Sequence, residues 1–218
     1  MATKKGQRIG IWVIAVALTV GTLAGFLAMI ISPQNDAADQ ARLAQVQAEY
    51  QASAKKQSDE LSKKYYPIFS KYESLPAKFD AKAVKKVTTK DLKIGEGKEI
   101  KKDTEYSAYY IGWKPDAKVF DQSIEGKSLK APLAVNGVIA GWEEGVQGMK
   151  LGGVRQITIP ADKAYGENGS KDEQGNEIIP PNTPLTFVVM AIEKPADIPV
   201  PQELMDEYER QLQQQPTQ

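Results

Sequence analysis

"VIAGWEEGVQGM", residues 138–149, decides how this chain folds. Large apolar residues recur at Val138, Ile139, Trp142, Val146 and Met149. That spacing gathers them on one face of a helix and leaves Glu143, Glu144 and Gln147 on the other. An indole placed beside two glycines asks for a close-fitting partner. The flanking segments supply one. "VTTKDLKIGEGKEI" (87–100) reads as a strand running into a glycine turn, and "TEYSAYYIGW" (104–113) alternates, with Tyr106, Ala108 and Tyr110 on one face. "VRQITIP" (154–160) and "LTFVVMAIEK" (185–194) are two further strands rich in β-branched and aromatic residues. One short helix among antiparallel strands is an α+β arrangement in which the sheet curls over the helix, and Trp142 is the large side chain that fills the space between them.

The rest of the composition narrows the chemistry. The 218 residues allow one ordinary domain with appendages or two small ones, and the 28 basic and 28 acidic residues cancel. A nucleic-acid reader would carry a basic surplus or stripe, so no nucleic-acid partner is expected. The chain contains no cysteine and no histidine, which removes disulfides, thiol chemistry, imidazole acid/base work and the usual zinc ligands.

The first segment has a different character. After "MATKKGQR" (1–8) the run Ile9–Ile31 carries no charge and is long enough to cross a hydrocarbon core of about 30 Å. It reads as an uncleaved anchor rather than a secretory signal, because it ends in "AMIIS" without a small-x-small cleavage site. Lys4, Lys5 and Arg8 precede it, so residues 1–8 are expected in the cytoplasm and the remainder outside, as a single-pass membrane protein. Residues 32–80 read as a helical stalk. Leu43, Val46, Tyr50, Gln57 and Leu61 fall near heptad positions, and the stalk is either a weakly amphipathic single helix or the seam of a homodimer. Pro67 and Pro76 are expected to interrupt it before its end near Asp80. At the other end, residues 196–218 form a tail with a short helix from about Gln202, carrying Leu204, Tyr208 and Leu212 at helical spacing. It is either a solvated appendage or a docking helix.

Five segments in order, "DLKIGEGKEI", "AYYIGW", "KVFDQS", "VIAGWEEGVQGMKLGGVRQITIPADKAYGENG" and "IIPPNTPLTFVVMAIEK", give residues from about Val84 to Lys194 a resemblance to the FKBP-type peptidyl-prolyl cis-trans isomerases. The resemblance implies an antiparallel half-barrel sheet wrapped around one short helix, over a domain of residues 81–195. It also implies an isomerase (rotamase) that turns X–Pro bonds in protein folding. Such an enzyme suits a chain without histidine or cysteine. The X–Pro bond rotates over a barrier of about 20 kcal/mol because its amide is conjugated, while the two isomers differ by about 1 kcal/mol. No bond is made or broken, so neither nucleophile, metal nor cofactor is required; the site must bind the twisted amide better than either planar form.

By matching motif, the resemblance implies Trp142 as the floor on which the proline ring sits, with Gly141 allowing close approach. It implies Tyr110, Phe120, Val138, Ile139, Ile179 and Phe187 as walls, with the Ile139 N–H offered to a substrate carbonyl. Tyr165 is implied as a hydroxyl reaching the bound peptide, and Asp121 as an acid beside the twisting amide, without a proton-transfer role. Tyr106 and Tyr109 read as packing or surface residues. Ala131 stands near where many members carry an aromatic, which would widen the pocket. The stretch "SKDEQGNE" (170–177) is longer and more acidic than usual and reads as a mobile flap rather than a calcium loop, since its glycine and last glutamate are wrongly spaced for one. The expected partners are proline-containing segments of exported or surface proteins. The competing reading is a non-catalytic proline-peptide-binding chaperone or adhesion module.

Overall fold

The computed structural model describes residues 37–135 and 137–214. Its centre is a pair of strands, β2 (Ser107–Trp113) and β10 (Leu185–Ile192), in which every residue is buried. Alternate side chains of a strand point to opposite faces, so such strands need apolar cover on both sides. The sheet order is β1 (Thr88–Lys93), β7 (Val154–Ile159), β10, β2 and β3 (Val119–Gln122), with all neighbours antiparallel. β6 (Leu133–Ala134) pairs with the start of β2. Two small hairpins lie off this path, β4 (Ile124–Glu125) with β5 (Ser128–Leu129) and β8 (Ser170–Lys171) with β9 (Glu177–Ile179).

On one face Ala108 and Tyr110 of β2, Phe187 and Val189 of β10, and Ile157 and Ile159 of β7 pack around the short helix α2, residues Ala140–Val146, which contributes Trp142 and Val146. This is the antiparallel sheet over one short helix that the strand pattern predicts. The two glycines of α2 explain how close the helix comes. A Cβ at Gly141 would stand 2.2 Å from Cγ2 of Ile159, and one at Gly145 would stand 2.3 Å from Cγ2 of Ile157. Any side chain there would lift the helix off β7. Arg155, also on β7, fixes the far end: its Nη1 donates to the carbonyls of Gly145 (3.0 Å) and Gln147 (2.9 Å), while Nε donates to Asp91 of β1 at 2.6 Å. A cation at a helix C-terminus complements the unpaired carbonyls there.

The opposite face is covered by the helix read from the sequence as a stalk. α1 spans Ala37–Phe69, and Phe69, with Tyr65, Tyr66 and Ile68, packs on Tyr109, Ile111, Trp113, Val188, Met190 and Ile192. Tyr72, Leu75 and Phe79 extend the same cluster. Pro67 does not end the helix as expected: it lies in the last turn, where a missing N–H costs a single intrahelical bond, and burial of the aromatic residues around it offsets that loss. Hydrogen bonds close the seam. The Leu129 N–H donates to the hydroxyl of Ser62 at 2.8 Å, and Trp113 Nε1 donates to the Ala77 carbonyl at 3.1 Å. A boundary at residue 80 therefore falls within continuous packing, and the end of the stalk is part of the folded unit.

The tail docks rather than standing in solvent. α3 (Gln202–Gln214) seats Leu204 against Leu43, with Val46 and Tyr50 alongside, and Arg42 pairs with Glu203 at 3.1 Å. Between the sheet and α3, Gln57 Nε2 donates to the Ala196 carbonyl at 2.8 Å. Four of the residues expected at a dimer seam, Leu43, Val46, Tyr50 and Gln57, are thus engaged within one chain. The apolar run Ile9–Ile31 lies outside the described residues, and no helix among the described residues is long and apolar enough to cross a membrane.

Tyr109 tests the second core. Its hydroxyl is buried between α1 and the sheet and has no hydrogen-bond partner among the described residues. Removing an unsatisfied buried hydroxyl while keeping the ring is expected to stabilise the chain by about 1 kcal/mol, so Tyr109→Phe should raise the urea midpoint at unchanged m-value. A lowered midpoint would show that the hydroxyl has a partner.

Candidate active site

The site grows from α2 and the two central strands. Trp142 lies across the sheet with the ring of Tyr110 5.7 Å away at 81° and that of Phe187 5.2 Å away at 74°. Phe120 stands edge-on to Phe187 at 5.6 Å. Such edge-to-face contacts match the quadrupoles of the rings. Gly112 makes the last pair possible, since a Cβ there would come within 2.7 Å of both Phe120 and Phe187. The indole keeps only 3% of its surface exposed, and Tyr110 and Phe187 are also buried. The residues packed against this cluster that remain partly exposed include Phe120, Val138, Ile139, Tyr165 and Ile178. They leave partly exposed apolar side chains beside a buried aromatic cluster.

Few polar groups face this region. The Tyr110 hydroxyl donates to Oδ2 of Asp121 in a short hydrogen bond, while Oδ1 of Asp121 accepts the Gln122 N–H at 2.8 Å. Both carboxylate oxygens are therefore held by the protein. Burial, then the neighbouring Asp121, pushes the Tyr165 hydroxyl up from 10.0 to about 12. The same causes raise Tyr110, with the Asp121 hydrogen bond adding to them. The Tyr165 hydroxyl and the Ile139 N–H have no hydrogen-bond partner among the described residues. Two donors without partners beside an apolar floor suit a ligand with carbonyl oxygens and an apolar ring.

The structure gathers Tyr110, Phe120, Asp121, Val138, Ile139, Trp142, Tyr165 and Phe187 around one centre. Ile179, read as a wall, is 0% exposed in the same core cluster as Trp142, Tyr110 and Phe187, and its neighbour Ile178 is partly exposed beside that cluster. The 170–177 segment is a hydrogen-bonded hairpin, not a loose flap. Asp172 accepts from the Asn176 N–H at 2.7 Å and from Asn176 Nδ2 at 2.9 Å, and Lys114 Nζ donates to the Ile178 carbonyl at 3.1 Å. Sequence reasoning missed Tyr106. Its hydroxyl accepts the Trp142 Nε1–H at 3.2 Å inside the core. The signal was present in the alternation that places Tyr106 on the same face as Tyr110.

The profile of the FKBP-type peptidyl-prolyl cis-trans isomerases matches residues 96–192. An FK506-binding protein of Neisseria meningitidis serogroup B is 41% identical over 100 residues, covering 45% of this chain and 87% of that protein. The chain belongs to the FKBP-type peptidyl-prolyl cis-trans isomerase family. FK506-binding protein 4 of Rhizopus delemar is 41% identical over 99 residues, which are 45% of this chain and 25% of that protein. A peptidyl-prolyl cis-trans isomerase of Pseudomonas syringae pv. tomato, known from a crystal structure, is 32% identical, with a TM-score of 0.41 over 49% of this chain and 73% of that one. The isomerase domain thus accounts for about half of the sequence, and α1 and α3 lie outside the matched segment.

The raised tyrosines fix the pH response of this isomerase. Tyr165 stays protonated in the fold to about 12, whereas an unfolded tyrosine ionises near 10.0. The folded state then holds more protons than the unfolded one above pH 10, so stability falls as pH rises from there through the folded value. Between pH 6 and 9 neither hydroxyl titrates, and kcat/KM for a proline peptide is expected to be flat. A slope within that window, in a chain without histidine, would place a different titrating group in the site.

Proposed function

We propose that the aromatic site turns X–Pro bonds of exported or surface proteins by holding the twisted amide in an apolar cleft. Twisting breaks conjugation, so the carbonyl becomes less polar and the nitrogen regains a lone pair. An environment with few donors then favours the twisted form relative to water. Trp142 serves as the floor for the pyrrolidine ring, Phe120, Val138, Ile139 and Phe187 enclose it, and the Ile139 N–H and Tyr165 hydroxyl hold the flanking carbonyls. Asp121 acts through Tyr110 and through its field, and takes no proton. The observation that carries this reading is the engagement of both Asp121 oxygens beside an aromatic cluster that offers donors but no free base.

The setting outside the cytoplasm is inferred from the uncharged run Ile9–Ile31 preceded by Lys4, Lys5 and Arg8. Folding there meets the same slow step, since uncatalysed prolyl isomerisation takes tens of seconds. Protease added to intact cells is expected to cleave the domain, and full protection would overturn this placement.

Activity is tested with a peptide containing a cis X–Pro bond. The native chain is expected to accelerate isomerisation, Trp142→Leu to lose at least about tenfold in kcat/KM, and Asp121→Val about three- to tenfold, in line with the loss of one or two positioned contacts. A native rate equal to that of buffer, with peptide affinity retained, would favour the binding-module reading instead.

A further inference from the structure

Tyr106 stands immediately before β2 on the face shared by Ala108 and Tyr110, with 8% of its surface exposed. Its hydroxyl meets the Trp142 indole N–H at 3.2 Å. An indole has a single N–H and no acceptor, so this is the one directional bond that the floor can make. The other contacts on the indole, from Tyr110 and Phe187, are ring contacts that leave tilt and sliding comparatively soft. Gly141 and Gly145 fix the helix backbone but not the side-chain torsions of Trp142.

We propose that Tyr106 is a positioning residue of the isomerase site, whose hydroxyl sets the tilt of the Trp142 indole and so the shape of the floor under the rotating amide. The inference rests on the reading of Trp142 as that floor. A planar proline segment fills an apolar hollow even when its floor is loose, because burial of area is tolerant of small displacements. The twisted amide differs from both planar forms only in geometry. A floor free to tilt therefore loses discrimination between them, which appears in kcat rather than in KM. Burial holds the Tyr106 hydroxyl protonated, pushed up to about 12, so the latch persists throughout the neutral range.

The test uses the full chain with Tyr106→Phe, which removes the hydroxyl and keeps the ring. Kcat for a cis-proline peptide is expected to fall about three- to tenfold, the equivalent of one buried hydrogen bond, with KM changed by less than about twofold. In a Trp142→Phe background, where the donor is absent, the same substitution is expected to change neither. In proton–nitrogen correlation spectra the Trp142 indole N–H, assigned by its loss in Trp142→Phe, should shift and exchange faster with solvent in Tyr106→Phe. It should stay unchanged in Tyr109→Phe, which removes a buried hydroxyl from the other face. Native kcat in Tyr106→Phe, an equal loss in both backgrounds, or an unmoved indole signal would each overturn the latch. Absence of turnover in the native chain would sink the isomerase reading and the role of Tyr106 with it, whereas native turnover that Tyr106→Phe retains in full sinks the latch alone.

Discussion

β2 and β10 have no solvent face, and this condition organises the rest of the molecule. Each face needs its own apolar partner, and the two partners differ. One is a helix of seven residues, seated so tightly on β7 that only glycine fits at two of its positions. The other is the end of a helix of 33 residues, which brings aromatic side chains rather than close backbone contact. The first arrangement carries the proposed site and the second makes a brace.

The short helix suits a site because its position is over-determined. Gly141 and Gly145 set its distance from the sheet, and Arg155 clasps its last carbonyls while also gripping β1. Trp142 then presents its ring from a backbone with little freedom, against Tyr110 and Phe187 from the strands beneath. For a reaction that only rotates a bond, such rigidity is the main resource that a protein can offer, because the planar and twisted forms of the amide share every atom and differ only in shape and polarity. The few polar groups fit that task. Asp121 is committed to Tyr110 and to its own neighbour's N–H, which leaves the Ile139 N–H and the Tyr165 hydroxyl without partners among the described residues.

Much of this was legible in the chain. The helical spacing of Val138 to Met149 and the alternation through Tyr106, Ala108 and Tyr110 indicated a sheet over one helix, although only Ala140–Val146 is helical and Val138, Ile139 and Met149 flank it, and the ordered motifs indicated its family. The second core was less visible, although "LTFVVMAI" carries a sign of it: a strand that is apolar without alternation is covered on both faces. What hid the partner was Pro67, which reads as a break when taken alone and is tolerated in a final turn when the residues around it are buried. The docking of α3 was hidden for another reason. It depends on Leu204 and Glu203 meeting partners far away in sequence, and no local pattern encodes such a meeting.

The central claim is that rotation of the prolyl bond is assisted by shape and low polarity, with no proton moving in the transition state. Comparing kcat/KM for a cis-proline peptide in light and heavy water tests it most directly. Equal values are the expected result; a rate clearly lower in heavy water, as a proton in flight requires, would contradict the account.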